Sequence, residues 1–399
     1  MPFEKNIALV ETSWGGHQPT YFKLFVRALL ELGCHVTAFC PEPEDVQAAL
    51  DGLSAEDRSR LKTRRFTNVT PCRFLPDRVK YRLATILSTL KLSFALFRSE
   101  FSLHKKFNLV FFASMYDNHF SRRRESVLIF PFPWSALYIY SGKFRKLLPR
   151  ASLSDLPPWV ATLFRSPRMK SIAVLDPDIT EMMQELCDRP VICFPDLTDQ
   201  RLAVSSPIAA ELKKFANGAP IVGLFGYLKP TKGTMTLAKL ALDPANSDLC
   251  FAFVGDLAAL GYTKEEQALL STLSAQLPNV FSLFRRVHDE MEFNACLCAA
   301  DVIFAAYLDF ADSSGILTKA ATFKKPVIVS DGYLMAERIR KFRMGTVIPQ
   351  GDVQAAGIAI RELLRHRDDA STSPDWEGYC EEHSYSRLKV AFANLLALD

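Results

Sequence analysis

Short unbroken apolar runs recur along this chain, and between them apolar residues fall three and four positions apart. The runs suit strands covered on both faces, and the spaced positions suit amphipathic helices. Residues 7–11 form the first run, and a turn at 12–17 follows. Phe22, Phe25, Val26, Leu29 and Leu30 then give residues 20–32 a helical period, which Gly33 stops. Residues 35–40 are the next run, closed by Pro41. Strand, glycine turn, helix and strand in that order predict a βαβ unit.

Further strands are predicted at 108–113, 127–130, 171–175 and 190–195, and the polar residues 196–201 read as a linker. A second series begins at Ala219, with strands at 220–225, 249–254, 280–284, 301–305 and 326–330 and helices at 264–277, 289–299 and 316–323. Residues 385–398 read as an amphipathic helix. The pattern predicts an α/β protein with two doubly wound Rossmann-like domains facing a central cleft. The expected domains are 1–195 and 196–375, with a helical segment, 376–399, expected to pack back on the first.

Composition narrows the class. Of the 399 residues, 49% are hydrophobic and 23% charged, ordinary globular usage that excludes collagen-like and wholly disordered chains. No stretch approaches the roughly 18 apolar residues of a bilayer-spanning helix. The first ten residues lack a secretory pattern. Nine scattered cysteines, without a disulfide framework or zinc spacing, predict reduced thiols and a cytoplasmic protein.

The net charge of +4 conceals a polarity. Residues 58–170 carry 23 Lys or Arg against five acids, leaving 25 basic and 39 acidic residues elsewhere. Within that stretch, residues 81–98 mix Leu, Phe and cations at helical spacing, and Arg122, Arg123 and Arg124 and residues 143–150 add further positive charge. This predicts contact with an anionic membrane surface, at the inner membrane face, or a solvated basic flank. No nucleic-acid module accompanies the charge, so no nucleic-acid partner is expected.

Ligands of open parallel sheets bind outside the carboxyl ends of strands, and four loops there carry candidate chemistry. Gly15 and Gly16 allow close backbone approach, and His17 offers an acid, base or donor. Gly226, Tyr227 and Lys232 lie in a turn before a helix, where a lysine can neutralise a diphosphate. Asp312, Ser313, Ser314 and Gly315 open a helix, presenting hydroxyls and bare amides to an anion, while Asp312 can accept from sugar hydroxyls. Asp117 and His119 follow a strand of the first half and can orient an acceptor. No metal-binding pattern and no Gly-x-Gly-x-x-Gly fingerprint is present, so neither metal nor cofactor is expected.

These motifs together resemble the retaining, nucleotide-sugar-dependent glycosyltransferases of the family 4 group, which have the GT-B fold of two Rossmann-like domains. The resemblance spans essentially the whole chain. It rests on the Gly15-Gly16 turn with Gly33-Cys-His35-Val, on Gly226-Tyr-Leu-Lys-Pro-Thr-Lys232-Gly233, and on Phe253-Val-Gly255-Asp256. It continues through Ala300-Asp301-Val-Ile, Ala320 to Pro326, Glu337, Gly345 and Gly351-Asp352. The resemblance implies a metal-independent hexosyl transfer from a nucleoside-diphosphate sugar to a saccharide or lipid-linked acceptor. The donor would be held by Gly15, Gly16, Gly226, Tyr227, Lys232, Gly255, Asp312, Ser313, Ser314, Gly315 and Lys319, and His17, Asp117 and His119 would serve catalysis.

The chain departs from the family at three points. Tyr227 stands for the arginine of the phosphate turn, and Ala311 and Lys319 stand for two glutamates. Lysine has no lone pair for a ribose diol, though its charge can face a phosphate. These departures leave open a non-catalytic nucleotide-sugar-binding or assembly protein, and the shared fold leaves open a sugar-nucleotide epimerase.

Overall fold

The computed structural model describes residues 3–48, 50, 52–115, 130–139, 142–147, 166–187, 189–258, 260–366 and 373–398. The chain divides into two units: Met1–Leu197 with His383–Asp399, and Thr198–Glu382. The 376–399 segment is therefore shared. Its helix Trp376–Glu382 lies in the second unit and its helix Tyr385–Ala397 in the first.

The first unit is built on parallel strands β1 (Asn6–Val10), β2 (His35–Cys40), β3 (Leu61–Arg65), β4 (Leu109–Met115), β5 (Trp134–Tyr138), β6 (Met169–Val174) and β7 (Val191–Cys193). Their order is β3-β2-β1-β4-β5-β6-β7. Strands β1, β4 and β5 are almost wholly buried, which is why their sequences are nearly continuous apolar runs. The helix Gln18–Glu31 lays Phe22, Phe25, Val26 and Leu29 on one face of this sheet. Phe392 of the helix Tyr385–Ala397 meets Phe25, Phe111 and Phe194 there, with ring centroids 5.1, 5.2 and 4.9 Å away. The helix Asp77–Leu103 covers the other face through Leu92 and Leu96.

Two strands of this unit escape the apolar pattern, as does the half-exposed strand Gly345–Ile348 of the second. Edge strand β3 reads Leu-Lys-Thr-Arg-Arg, and its charges keep an open edge from pairing with another chain. Strand β5 begins after the predicted 127–130 run, of which 127–129 lie outside the described residues and Phe130 is not in a strand.

The second unit carries parallel strands β8 (Ile221–Phe225), β9 (Cys250–Val254), β10 (Val280–Leu283), β11 (Val302–Ala305), β12 (Val327–Ser330) and β13 (Gly345–Ile348) in the order β10-β9-β8-β11-β12-β13. In both sheets the strand order reverses once, between β1 and β4 and between β8 and β11. The crevice outside the carboxyl ends at such a reversal is where doubly wound sheets take their ligands. Among the described residues no helix is long and apolar enough to cross a membrane. Cys34, Cys40, Cys72, Cys193, Cys250, Cys296, Cys298 and Cys380 are free thiols.

Candidate functional site

The loops after β8 and β11 flank the reversal in the second sheet, and they are bonded to each other. The Leu308 amide donates to the Thr231 carbonyl at 2.8 Å. Gly233 has φ +75°, and a Cβ there would lie 2.4 Å from the Ala306 carbonyl oxygen. Only glycine lets the first loop lie this close to the end of β11. Gly255, at φ +146°, is tighter still, since its Cβ would lie 1.8 Å from the Gly226 oxygen. The three βα loops of the crevice are thus closed against one another by backbone contact.

This closure delivers Lys232. Its Nζ lies 3.6 Å from the centroid of the Tyr307 ring and 4.9 Å from that of Phe310. No carboxylate pairs with it among the described residues. A cation held by aromatic faces keeps its charge available to an incoming anion.

The helix Gly315–Thr322 begins in the same β11 loop. Its N-cap is Ser314, whose side chain makes no capping bond, so its hydroxyl and the Gly315 and Ile316 amides stay open to a ligand, while the Leu317 amide donates to the Ser314 carbonyl at 3.0 Å. Asp312, Ser313, Ser314 and Gly315 are all partly exposed. The Ser313 hydroxyl accepts from the guanidinium of Arg338, a buried cation on the helix Leu334–Phe342. The loop is braced from the far side. The Tyr333 hydroxyl donates to Asp309 Oδ1 at 2.9 Å, and Gln350 joins the Asp309 amide to the Asp331 carbonyl. Tyr227 is half exposed on the β8 loop.

Lys319 has a different setting. Its Nζ donates to Glu290 Oε2 at 2.9 Å, Asn294 Oδ1 at 2.6 Å and the Asp199 carbonyl at 3.2 Å. Its charge is thus engaged inside the second unit rather than offered to a ligand. Ala311 is buried.

In the first unit, the reversal is marked by a carboxylic acid that the loop-by-loop reading of the sequence passes over. Glu11 closes β1 and is 1% exposed. Its Oε2 accepts from the Ser114 hydroxyl at the end of β4, and its Oε1 from the Thr12 and Ser13 amides at 2.7 and 3.0 Å. Burial pushes its carboxyl up to about 7, against the opposing pull of these bonds. The turn above it is pinned by Trp14 Nε1 donating to Asp45 at 2.9 Å. Gly15 and Gly16 have open space where a Cβ would stand. His17 precedes the helix Gln18–Glu31, with its ring 5.6 Å from that of Tyr21. Asp117 and His119 lie outside the described residues.

The signal for Glu11 was an acid ending an apolar strand just before Thr-Ser. Arg338 had no local signal, because it reaches Ser313 from 25 positions away. Among the described residues no three His, Cys, Asp or Glu side chains converge as metal ligands would.

The fold is GT-B: two doubly wound Rossmann-like domains, with glycosyltransferases among the solved structures that match it along the whole chain. No protein-family profile and no curated sequence matches the chain. Sucrose-phosphate synthase from Thermosynechococcus elongatus is 18% identical, with a TM-score of 0.65 and 98% of each chain covered. HepE of Anabaena, solved with UDP and glucose, is 15% identical, with a TM-score of 0.62 and 99% of each chain covered. WaaG, a glycosyltransferase involved in lipopolysaccharide biosynthesis, is 14% identical, with a TM-score of 0.60 and coverage of 98% of this chain and 99% of that one. At these identities the likeness establishes the fold.

Proposed function

We propose that the protein is a glycosyltransferase that moves a hexosyl group from a uridine-diphosphate sugar to an acceptor hydroxyl. The observation that carries this reading is the ammonium of Lys232, without a carboxylate partner among the described residues and held on Tyr307 in the same loop that opens the helix Gly315–Thr322. Cation, hydroxyls and helix amides at one strand-order reversal suit a pyrophosphate. The uridine base is taken from HepE, which was solved with UDP.

The reaction breaks the bond between the sugar's anomeric carbon and the β-phosphate oxygen. Negative charge grows on that oxygen in the transition state, so groups that meet it lower the barrier. On this reading Lys232 and the open end of the helix meet that charge. Arg338 fixes the Ser313 hydroxyl among them. Gly226, with open space where a Cβ would stand, leaves room for the phosphates, Gly255 lets its loop close on Gly226, and Asp312 faces the sugar hydroxyls. In the first unit the Gly15-Gly16 turn and His17 serve the acceptor. Beneath them Glu11 has a proton affinity near neutrality, suited to taking up or giving back a proton. The reading takes the transfer as retaining and independent of metal, as the family resemblance implies.

One observation favours a second reading. Where the resembled enzymes carry two glutamates, this chain has a buried Ala311 and a Lys319 already engaged with Glu290. A protein that binds the nucleotide sugar without turning it over would fit those positions. Incubation with UDP-sugars and analysis of the products separates the readings. Transfer or slow hydrolysis releases UDP, an epimerase returns a changed donor without releasing UDP, and a binding protein does neither. No heat of binding with any nucleoside diphosphate would end all three.

A further inference from the structure

The helix Asp77–Leu103 has a second face that is largely exposed, although Phe97 on it rests on the ring of Phe132. Leu92, Leu96 and Ser99 are buried on the side toward the sheet. On the opposite side Leu83, Leu87, Leu90, Phe94, Phe97 and Phe101 are between 41% and 82% exposed. Their spacing alternates between four and three, so they form one apolar stripe, about 27 Å long at 1.5 Å per residue.

Beside this stripe, between the helix and edge strand β3, lies a cavity of about 450 Å³ whose polar lining is Arg64, Arg65, Arg98, Ser99 and Ser102, with Phe39 and Ala95 as its apolar wall. Arg65 is neutralised by Glu42 and Glu44. Arg64 and Arg98 pair with no acid among the described residues. Lys91, seven residues before Arg98, stands on the same flank of the helix. An apolar stripe with a cationic flank is the surface of a helix lying in a membrane interface, and arginine forks suit phosphate.

We propose that this face docks on a bilayer bearing anionic headgroups, with the stripe entering the acyl boundary and Arg64 and Arg98 taking a lipid phosphate in the adjoining cavity. The occupant follows from the charge and the side chains. In an antiparallel pair of these helices, Lys91 and Arg98 of one copy would face the same cations of the other. Phe at three stripe positions suits the headgroup boundary, where aromatic rings collect. This surface lies in the first unit and stands whether or not the donor-site reading does.

The test is flotation of the full chain with vesicles of phosphatidylcholine alone, or with about one-third phosphatidylglycerol. It is run at about 0.1 M and 1 M salt, where the screening length falls from about 10 to 3 Å. The chain should bind only the anionic vesicles, and more weakly at high salt. Arg64→Ala with Arg98→Ala should bind about 30-fold more weakly, as expected for two interfacial cations. Phe94→Ser with Phe101→Ser should lose at least about 10-fold at both salts, while melting temperature and circular dichroism stay unchanged because these rings are exposed. Failure to bind anionic vesicles, equal binding to neutral ones, or variants that bind like the parent would overturn the proposal. A dimer in sedimentation that the Phe variant disperses would also overturn it, by giving the face to a second copy.

Discussion

The Nζ of Lys232 stands 3.6 Å from the centroid of the Tyr307 ring. The two residues belong to different βα loops, joined by the Leu308–Thr231 hydrogen bond and by the backbone approach at Gly233. This contact puts a free positive charge at the reversal of the second sheet, beside the start of the helix Gly315–Thr322. The proposed donor site depends on it.

The backbone closure predicts an uneven tolerance of glycine substitution. Gly255→Ala would drive a methyl group to within 1.8 Å of the Gly226 oxygen at a φ of +146°. It should cost at least about 3 kcal/mol in urea denaturation, since both clash and strained backbone oppose it. Gly15→Ala meets open space, and should change stability by less than about 0.5 kcal/mol. A Gly255→Ala protein as stable as the parent would mean the loops are not in contact.

Glu11 predicts a pH dependence with a definite sign. Folded, its carboxyl holds a proton up to about 7, whereas its ordinary value is 4.5. Between those values the folded chain binds more protons than the unfolded chain, so stability is full below 4.5 and falls as pH rises toward 7. The loss for this group is about 3 kcal/mol. Glu11→Gln cannot ionise, so its curve should lack that slope, and above pH 8 it should be the more stable protein. Parallel curves for the two proteins in denaturation at several pH values would place Glu11 outside this linkage.

Lys319 predicts the separation of stability from binding. Lys319→Met leaves Glu290 and the Asn294 oxygen without their cation. It should lower stability by about 1–2 kcal/mol, because the buried Asn294 oxygen loses its donor while the partly exposed Glu290 is left to water. UDP affinity, measured well below the melting point, should stay within about threefold of the parent, because the ammonium already has three protein partners. A large loss of affinity without loss of stability would return Lys319 to the donor site.

Most of the fold was legible in the sequence, for a physical reason. Strands β8, β9, β11 and β12 are covered on both faces, so each announces itself as an apolar run, and the helices between them keep their period. Strand β3 was not legible, because an open edge is kept safe with Lys62, Arg64 and Arg65. The loops of the proposed donor site stand out in the sequence by their glycines and strand ends, but the contacts within them do not. Lys319 looked like a ligand residue until the fold brought Glu290 to it, 29 positions away. Arg338 reached Ser313, and Ser114 reached Glu11, only through tertiary structure.

The most direct test of the donor site is calorimetric titration of UDP into the parent, Lys232→Ala and Ser314→Ala. The account predicts measurable affinity for the parent, a loss of about 30-fold for Lys232→Ala and a smaller loss for Ser314→Ala, with melting temperatures unchanged. Unaltered UDP affinity in a folded Lys232→Ala protein would contradict it.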